Sequence, residues 1–213
     1  MFGDHRLKTQ FIKIADQKIH LVEDKMGFVR YRRGNIERLI KGVDEVLKLL
    51  PAPAVGYGVP LLMVKLKEEV VVPPRGSISG FLDVPVEIKA EVGNLPIDRF
   101  LIGREKYALY GPIENGVITR YQVSPFYLNE PDAVGIAKVI LSNPTGKWKS
   151  LEWIVFPIKG STMYYDENRA YYPLILVTLK YHSPEVNNTG KAPREGLDMA
   201  GSGKPLPNFP MRW

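Results

Sequence analysis

The chain has 213 residues and a formal net charge of +6, because its 29 lysine and arginine residues outnumber its 23 aspartate and glutamate residues. It has no cysteine, which excludes disulfides, thiolate metal sites and cysteine nucleophiles and fits a reducing compartment. Its apolar runs are too short for a membrane-spanning helix and its first residues lack the apolar region of a signal peptide, so we expect a cytoplasmic protein without membrane insertion.

Three short alternating runs open the chain and predict three β-strands joined by tight turns: FIKI, KIHLV and GFVRYR. The third run contains the densest basic and aromatic cluster of the sequence, formed by Phe28, Arg30, Tyr31, Arg32 and Arg33. Bases that stack on Phe28 or Tyr31, with phosphates held by the arginines, would make this strand a nucleic-acid contact. A surface hairpin without a ligand is the simpler interpretation, so nucleic acid is an alternative partner and not the favoured one.

Residues 36–50 allow two interpretations. Their apolar side chains recur at helical spacing behind Asn35, which can cap a helix, and this pattern predicts an amphipathic helix. Gly42 interrupts the pattern, so residues 38–41 and 45–50 can instead form two strands around a turn at residues 42–44. The neighbouring strands favour the second interpretation.

The middle of the chain alternates between turn residues and apolar runs. Proline and glycine recur through residues 51–60 and predict a loop. Asp83 lies within an apolar stretch, so we expect an arginine or lysine partner for its carboxylate. The other elements predicted here are a strand from residue 61, a short run at 70–72, a turn at 73–76, a long strand over 77–92 bent at Gly80 and Pro85, and a short helical turn over 98–106.

Residues 106–127 predict a β-hairpin around the Asn-Gly pair at residues 115–116. Asn-Gly between apolar runs favours a two-residue type I′ turn, because both of its central residues need positive φ. That turn would place Tyr110 opposite Tyr121. Arg120 lies in the second strand, where its guanidinium suits either an internal ion pair, which we favour, or a bound carboxylate or phosphate.

The C-terminal third predicts further strands. Residues 133–141 and 151–157 are expected to pair with each other across a turn at residues 143–146. In the nearly palindromic MYYDENRAYY, a loop at residues 166–169 would bring Tyr164 opposite Tyr171. The apolar run over residues 174–179 predicts a central strand, and the composition of the last residues predicts an extended tail that docks through Leu206, Phe209, Met211 and Trp213.

KYALYG at residues 106–111 and NGVITRY at residues 115–121, together with PVEI at residues 85–88 and the aromatic end at Trp213, resemble the archaeal family catalogued as domain of unknown function 432. The resemblance implies an archaeal source and a β-rich body, supports strands near residues 46–50, and brings no known activity with it. The mixed charged surface and the lack of cysteine are also typical of thermophilic proteins.

These elements predict an all-β protein, either a two-layer β-sandwich of immunoglobulin-like character or two small packed β lobes, with roughly ten to fourteen strands. We expect a globular body over residues 1–182, with a division between lobes near residues 93–105, and a proline- and glycine-rich tail over residues 183–213 that docks on the body.

No catalytic motif, metal-ligand spacing or cofactor fingerprint stands out, so we expect no catalytic residue, no metal and no cofactor. The leading hypothesis is a non-enzymatic binding or assembly module that meets a protein partner or a second copy through sheet edges or the hairpin of Tyr164 and Tyr171. The alternatives are a binder of a small ligand or carbohydrate, with or without enzymatic activity, at Tyr110, Arg120 and Tyr121, and a nucleic-acid binder through the basic and aromatic strand.

Overall fold

The computed structural model describes residues 1–41 and 45–211, and these residues form strands, turns and loops without any helix. The all-β prediction is therefore confirmed. The predicted turn at residues 42–44 and the predicted docking of Trp213 lie outside the described residues. Within them, the strand count is twenty, which exceeds the predicted ten to fourteen because several strands are only two to five residues long.

In chain order the strands are β1 (Gly3–Arg6), β2 (Gln10–Ile14), β3 (Gln17–Glu23), β4 (Phe28–Arg33), β5 (Ile36–Lys41), β6 (Val46–Pro53), β7 (Leu61–Val72), β8 (Ser77–Asp83), β9 (Val86–Val92), β10 (Leu95–Ile102), β11 (Tyr107–Tyr110), β12 (Val117–Ser124), β13 (Gly135–Ser142), β14 (Lys149–Pro157), β15 (Met163–Tyr165), β16 (Ala170–Tyr171), β17 (Ile175–Leu179), β18 (Pro184–Asn188), β19 (Asp198–Ala200) and β20 (Phe209–Pro210).

The strands of the described chain lie in four sheets. The N-terminal sheet has the order β2-β3-β4-β5, and a second sheet has the order β1-β6-β9-β10. The hairpin sheet has the order β11-β12-β7-β14, and the largest sheet runs β19-β15-β16-β13-β17-β18-β20 with β8 paired to β13. Buried side chains from all four sheets pack into one hydrophobic cluster, and a smaller cluster forms around Ile136, Tyr164 and Tyr171.

The N-terminal sheet contains the three predicted strands and adds β5 to them as a fourth. Their alternation of apolar and polar residues places one face of the sheet in the core, as the side-chain period of a strand requires. Residues 36–41 and 46–53 are strands, so the strand interpretation is confirmed and the helix is wrong. The two strands lie in different sheets and do not pair with each other.

The central hairpin forms with a different register from the predicted one. β11 and β12 pair side by side, but Tyr110 lies opposite Val117 and not opposite Tyr121. A connection over residues 111–116 joins the strands, and it includes a turn in which the backbone N–H of Asn115 donates to the Pro112 carbonyl at 3.3 Å. The two-residue turn is therefore wrong. Pro112 has no N–H for the ladder, so the pairing ends before it.

Several predicted boundaries in the middle of the chain are also wrong. Pro51 and Pro53 belong to β6 and pair with β9. Both lie beyond the last residue of β6 that pairs with β1, so their missing N–H groups remove no hydrogen bond between β6 and β1. The runs at residues 61 and 70–72 form the single strand β7. Residues 77–92 divide at Pro85 into β8 and β9, which lie in different sheets. The predicted helical turn over residues 98–106 is wrong, because residues 98–102 belong to β10 and residues 103–106 form an irregular connection.

The C-terminal strands form largely as predicted but pair differently. β13 and β14 exist, yet β13 pairs with β8, β16 and β17, whereas β14 pairs with β7. Tyr164 lies opposite Tyr171, as expected. β17 is a central strand between β13 and β18, also as expected. Residues 184–210 contribute β18, β19 and β20 to the largest sheet, and Met211 is buried in the main core. None of the described residues belongs to a helix that could cross a membrane.

Candidate functional site

The solvent-facing side of the N-terminal sheet, called the outer face below, collects basic and aromatic side chains. The registers of the three strand pairings place the same-side residues next to one another across all four strands. The outer face consists of Phe11, Lys13, Lys18, His20, Val22, Phe28, Arg30, Arg32, Glu37, Leu39 and Lys41.

An aromatic pair lies within this face. Phe11 of β2 is directly opposite His20 of β3, with their ring centroids 4.9 Å apart and their planes at 60°. The Phe11 side chain is 51% exposed although it is large and apolar. Arg32 of β4 continues the same row on the other side of His20, so a ring, an imidazole and a guanidinium stand side by side.

The charge of the outer face is strongly positive. Five lysine and arginine side chains stand against the single carboxylate of Glu37, which gives 5 − 1 = +4 with histidine neutral, compared with +6 for the whole chain. Glu37 pairs with Arg30 at 3.3 Å and with Arg32 at 2.9 Å, and all three side chains are about half exposed. Most of the net charge of the protein is therefore concentrated on one sheet face.

A shallow depression of about 580 Å³ opens at one end of the outer face. It is lined by Lys18, His20, Val22 and Arg32 of the outer face, together with the strand-end residues Gln17 and Arg33 and the adjoining turn residues Asp16 and Gly34. Cationic groups and an exposed ring next to a depression are the features that sheet surfaces use to hold an anionic polymer with flat bases.

Two of the five residues of the predicted basic and aromatic cluster lie on the opposite side of the sheet. The Tyr31 hydroxyl donates to Asp98 Oδ2 at 2.7 Å, and the Arg33 guanidinium binds both oxygens of Asp98. Arg33 also lies 4.2 Å from the centroid of the Phe100 ring. Tyr31 is completely buried, so no base can stack on its ring and the role expected for it is wrong. Phe28, Arg30 and Arg32 remain on the outer face.

The electrostatics of this trio fit a structural role. Burial, followed by the hydrogen bond to the Asp98 carboxylate, raises the pKa of the Tyr31 hydroxyl. Burial alone would raise the pKa of Asp98, but hydrogen bonds from Arg33 and Tyr31 bring it below its ordinary value. Asp98 belongs to β10 of the second sheet, so the trio fastens the N-terminal sheet to its neighbour.

The prediction missed the other eight residues of the outer face, which are Phe11, Lys13, Lys18, His20, Val22, Glu37, Leu39 and Lys41. Alternation in the runs FIKI and KIHLV indicates that Phe11 and His20 point away from the core. Their contact with each other depends on the register of β2 and β3, which the alternation alone does not fix.

Arg120 is fully buried and forms the internal ion pair that we expected. Its Nη1 atom lies 3.1 Å from Glu105 Oε1, its Nη2 atom 3.6 Å from Glu87 Oε1, and its Nε atom donates to the Ala54 carbonyl at 3.0 Å. The guanidinium also lies 4.7 Å from the centroid of the Tyr107 ring. Hydrogen bonds from Tyr107 and Arg120 lower the pKa of the Glu105 carboxyl. The hydrogen-bonding groups of Arg120 are therefore engaged within the protein itself.

Tyr110 and Tyr121 are not brought together with Arg120 around a pocket. The hairpin register places these two tyrosines on one side of the sheet and Arg120 on the other. The Tyr110 ring is buried and packs 6.0 Å from the Phe209 ring. Of the described residues, these three line neither the depression of the outer face nor four other cavities of the protein surface. The geometry gives no support to a ligand site at the central hairpin.

The predicted tyrosine hairpin is also largely buried. The Tyr164 hydroxyl donates to the Gly190 carbonyl, and the Tyr171 hydroxyl donates to Glu130 Oε1. Burial, then the hydrogen bond to Glu130, raises the pKa of Tyr171 to about 12. Neither ring is available as an exposed contact, because Tyr164 is 7% and Tyr171 1% exposed.

A charged cleft of about 640 Å³ lies beside this hairpin and includes its tip. Asp166 is held there by the backbone N–H groups of Asn168 and Arg169, which donate to its Oδ1 atom, and by Arg194, which donates to its Oδ2 atom. Arg169 in turn pairs with Glu130 at 2.8 Å. Each of these charges is neutralised within the cluster, as in a structural ion-pair network.

Asp83 lacks the cationic partner that we expected. No arginine or lysine of the described chain forms an ion pair with its carboxylate, and burial raises the pKa of that group. The side chain is only half-buried, so part of its carboxylate stays accessible to solvent and the group does not require a cationic partner.

Comparison with known proteins identifies the family of the chain. The searches against curated proteins and against solved structures found no match. The model of a family described as protein of unknown function, DUF432, matches residues 1–212. The match agrees with the resemblance seen in the central hairpin and extends over nearly the whole sequence. The chain belongs to this DUF432 family.

Proposed function

We propose that this protein is a binding module for single-stranded nucleic acid and that the outer face of the N-terminal sheet is its contact surface. The observation that carries the proposal is the exposed Phe11 and His20 pair within a sheet face of charge +4. The proposal takes up the nucleic-acid alternative of the sequence analysis and extends its contact surface from the basic and aromatic strand to the whole outer face.

Phe11 supplies the stacking platform. An apolar ring that is half exposed loses hydrophobic stabilisation unless something covers it, and every base has a flat face that can do so. His20 holds the ring from the neighbouring strand, so the ring loses little freedom when a base stacks on it. Stacking of this kind contributes about 1 to 3 kcal/mol per base.

The cations of the outer face can hold the phosphates. Residues that lie opposite one another across the strands form four rows on this face, and every row contains a cation. Lys13 and Lys18 lie in the first row, Arg32 in the second, Arg30 in the third and Lys41 in the fourth. Successive rows are two residues apart along a strand, which is about 7 Å. The four rows therefore form a cationic track about 20 Å long that crosses the position of the exposed ring.

A single strand suits this surface better than a duplex. Bases inside a duplex are already stacked and cannot cover Phe11, whereas an unpaired base can. An acidic protein would be attracted by the same cations, but this attraction would not account for the exposed aromatic ring beside them. The nucleic-acid hypothesis thus accounts for both features of the outer face.

Fluorescence anisotropy with a labelled single-stranded oligonucleotide, measured over a range of salt concentrations, tests the proposal. We expect the logarithm of the association constant to fall linearly with the logarithm of the salt concentration, with a slope of about −3 if four phosphates are neutralised. The same sequence as a duplex should bind more weakly. Absence of binding at low salt, or equal binding of duplex and single strand, would overturn the proposal.

A further inference from the structure

The depression at the end of the outer face contains a carboxylate, although the face as a whole is cationic. Asp16 lies in the turn between β2 and β3 and lines the depression together with Arg32 and Arg33. Both arginines are held by other carboxylates, Arg32 by Glu37 and Arg33 by Asp98. Asp16 is exposed, and its carboxylate forms no ion pair with any described residue. Its oxygens can therefore accept hydrogen bonds from a ligand.

A carboxylate at this position works against the binding of phosphates. Like charges repel each other, so a surface that held only the backbone of a nucleic acid would bind it more tightly without Asp16. The edge of an unpaired base is different, because it presents N–H groups that donate to a carboxylate. The position of Asp16 therefore fits contact with a base and not with the backbone.

The residue after Asp16 supplies a hydrogen-bond donor of fixed orientation. Arg33 Nη1 donates to Gln17 Oε1 at 3.2 Å. Since the amide oxygen of Gln17 is the acceptor in this contact, its Nε2 group is left to donate on the other side of the amide. Gln17 lines the same depression as Asp16. Two consecutive residues thus provide a carboxylate acceptor and an amide donor in one depression.

Guanine is the base whose edge matches these two groups. Its N1–H and N2–H donors lie side by side, so both can bind the two oxygens of one carboxylate, and its O6 acceptor lies next to N1. Adenine and cytosine offer one amino group beside a ring nitrogen whose lone pair a carboxylate repels. Thymine and uracil offer one N–H between two carbonyls. The pattern of donors and acceptors therefore separates guanine from the other bases.

We propose that the depression binds one unpaired guanine, with N1–H and N2–H donating to the Asp16 carboxylate and O6 accepting from Gln17 Nε2. This assignment rests on the proposed function, because the outer face has to hold a single strand before one of its bases can enter the depression. His20 connects the two sites, since it lines the depression and also contacts the Phe11 ring. The guanine accordingly lies close to the base that stacks on Phe11.

Anisotropy competition with short thymidine strands that carry one central test base measures the preference. We expect the guanine strand to bind about tenfold more tightly than the strands with adenine, cytosine or thymine, as a bidentate contact provides. The adenine strand controls for the stronger stacking of purines. Hypoxanthine lacks the 2-amino group of guanine and should lose most of the gain. Equal affinities for all these strands would overturn the guanine assignment while the proposed function holds, and absence of binding to any of them would overturn both.

Variants of the two residues separate recognition of the base from general attraction. Asp16→Asn should raise the affinity for pure thymidine strands, because a repulsive charge is lost, and should remove the preference for guanine. Gln17→Glu keeps an oxygen for Arg33 but replaces the donor, so it should also remove the preference. Glu37→Gln likewise removes a carboxylate from the surface and should raise the affinity for every strand by the same factor. A folded Asp16→Asn variant that keeps the wild-type preference for guanine would overturn the assignment.

Discussion

The imidazole of His20 lies against the ring of Phe11, 4.9 Å away on the neighbouring strand, on a sheet face whose net charge is +4, compared with +6 for the whole protein. The contact holds an apolar ring at the surface, where half of it stays exposed to water. The exposed ring and the surrounding cations together distinguish this face from an ordinary solvated surface.

Removal of the exposed ring should weaken binding without harm to the fold. We expect Phe11→Ala to reduce the affinity for a single-stranded oligonucleotide by about tenfold, since a stacked base loses its platform. Trp148→Ala removes another exposed aromatic side chain, outside the N-terminal sheet, and should leave the affinity unchanged. Anisotropy titrations of both variants make the comparison. Equal affinities for Phe11→Ala and wild type would show that no base stacks there.

Removal of the acidic group from the outer face should strengthen binding. Glu37 pairs with both Arg30 and Arg32, so Glu37→Gln makes both guanidinium groups available to phosphates. We expect tighter binding at low salt and a salt slope that is steeper by about 1. Glu152→Gln changes the net charge equally at an exposed position on β14 and should have a much smaller effect. Equal gains from the two variants would mean that only the total charge matters.

The buried trio of Tyr31, Arg33 and Asp98 should stabilise the protein in a pH-dependent manner. We expect Asp98→Ala to lower the free energy of unfolding by about 3 kcal/mol near neutral pH, because it leaves the largely buried Arg33 without its partner. Asp132→Ala, at a fully exposed carboxylate, serves as the control and should cost little.

The direction of the pH dependence follows from the lowered pKa of Asp98. A carboxyl that ionises more easily in the folded protein stabilises it fully above its ordinary pKa of 3.8, and this contribution is lost as the pH falls through the lowered value. Urea unfolding at several pH values should therefore show the difference between wild type and Asp98→Ala shrinking in acid. A difference that grows in acid would contradict the assignment.

Arg120 should matter for stability and not for binding. Arg120→Met keeps most of the volume but leaves the buried carboxylate of Glu87 with one cationic partner fewer, so we expect a loss of about 3 kcal/mol in the free energy of unfolding. Arg104→Met, at an exposed arginine, should change it by less than about 0.5 kcal/mol. Urea titrations measure both changes. A folded Arg120→Met variant of unchanged stability that loses oligonucleotide binding would instead place Arg120 in a ligand site.

Local patterns in the sequence predicted much of the fold, because strand alternation and turn residues act over a few neighbours. The pairing of Tyr164 with Tyr171 follows from the four-residue loop at residues 166–169. In this loop the Asp166 carboxylate accepts hydrogen bonds from the backbone N–H groups of Asn168 and Arg169. The central hairpin shows the limit of such patterns. There the missing N–H of Pro112 outweighed the preference of Asn-Gly for a tight turn.

Non-local pairings account for what the sequence did not predict. β8 pairs with β13 across more than fifty residues, and no local signal indicates that partner. The outer face illustrates the same limit. Consecutive residues of a strand point to opposite sides, which separates Tyr31 from Arg30 and Arg32, but the approach of Phe11 to His20 requires the register of two strands.

The salt dependence of oligonucleotide binding by a charge variant of the outer face, Lys18→Gln with Arg32→Gln, tests the central claim most directly. Both side chains line the depression beside His20, and the control, Lys65→Gln with Lys67→Gln, removes the same charge from exposed positions on β7. We predict that the outer-face variant binds at least about tenfold more weakly at low salt, with a slope shallower by about 1.4, while the control stays close to wild type. Identical affinities and slopes for the two variants would contradict the account.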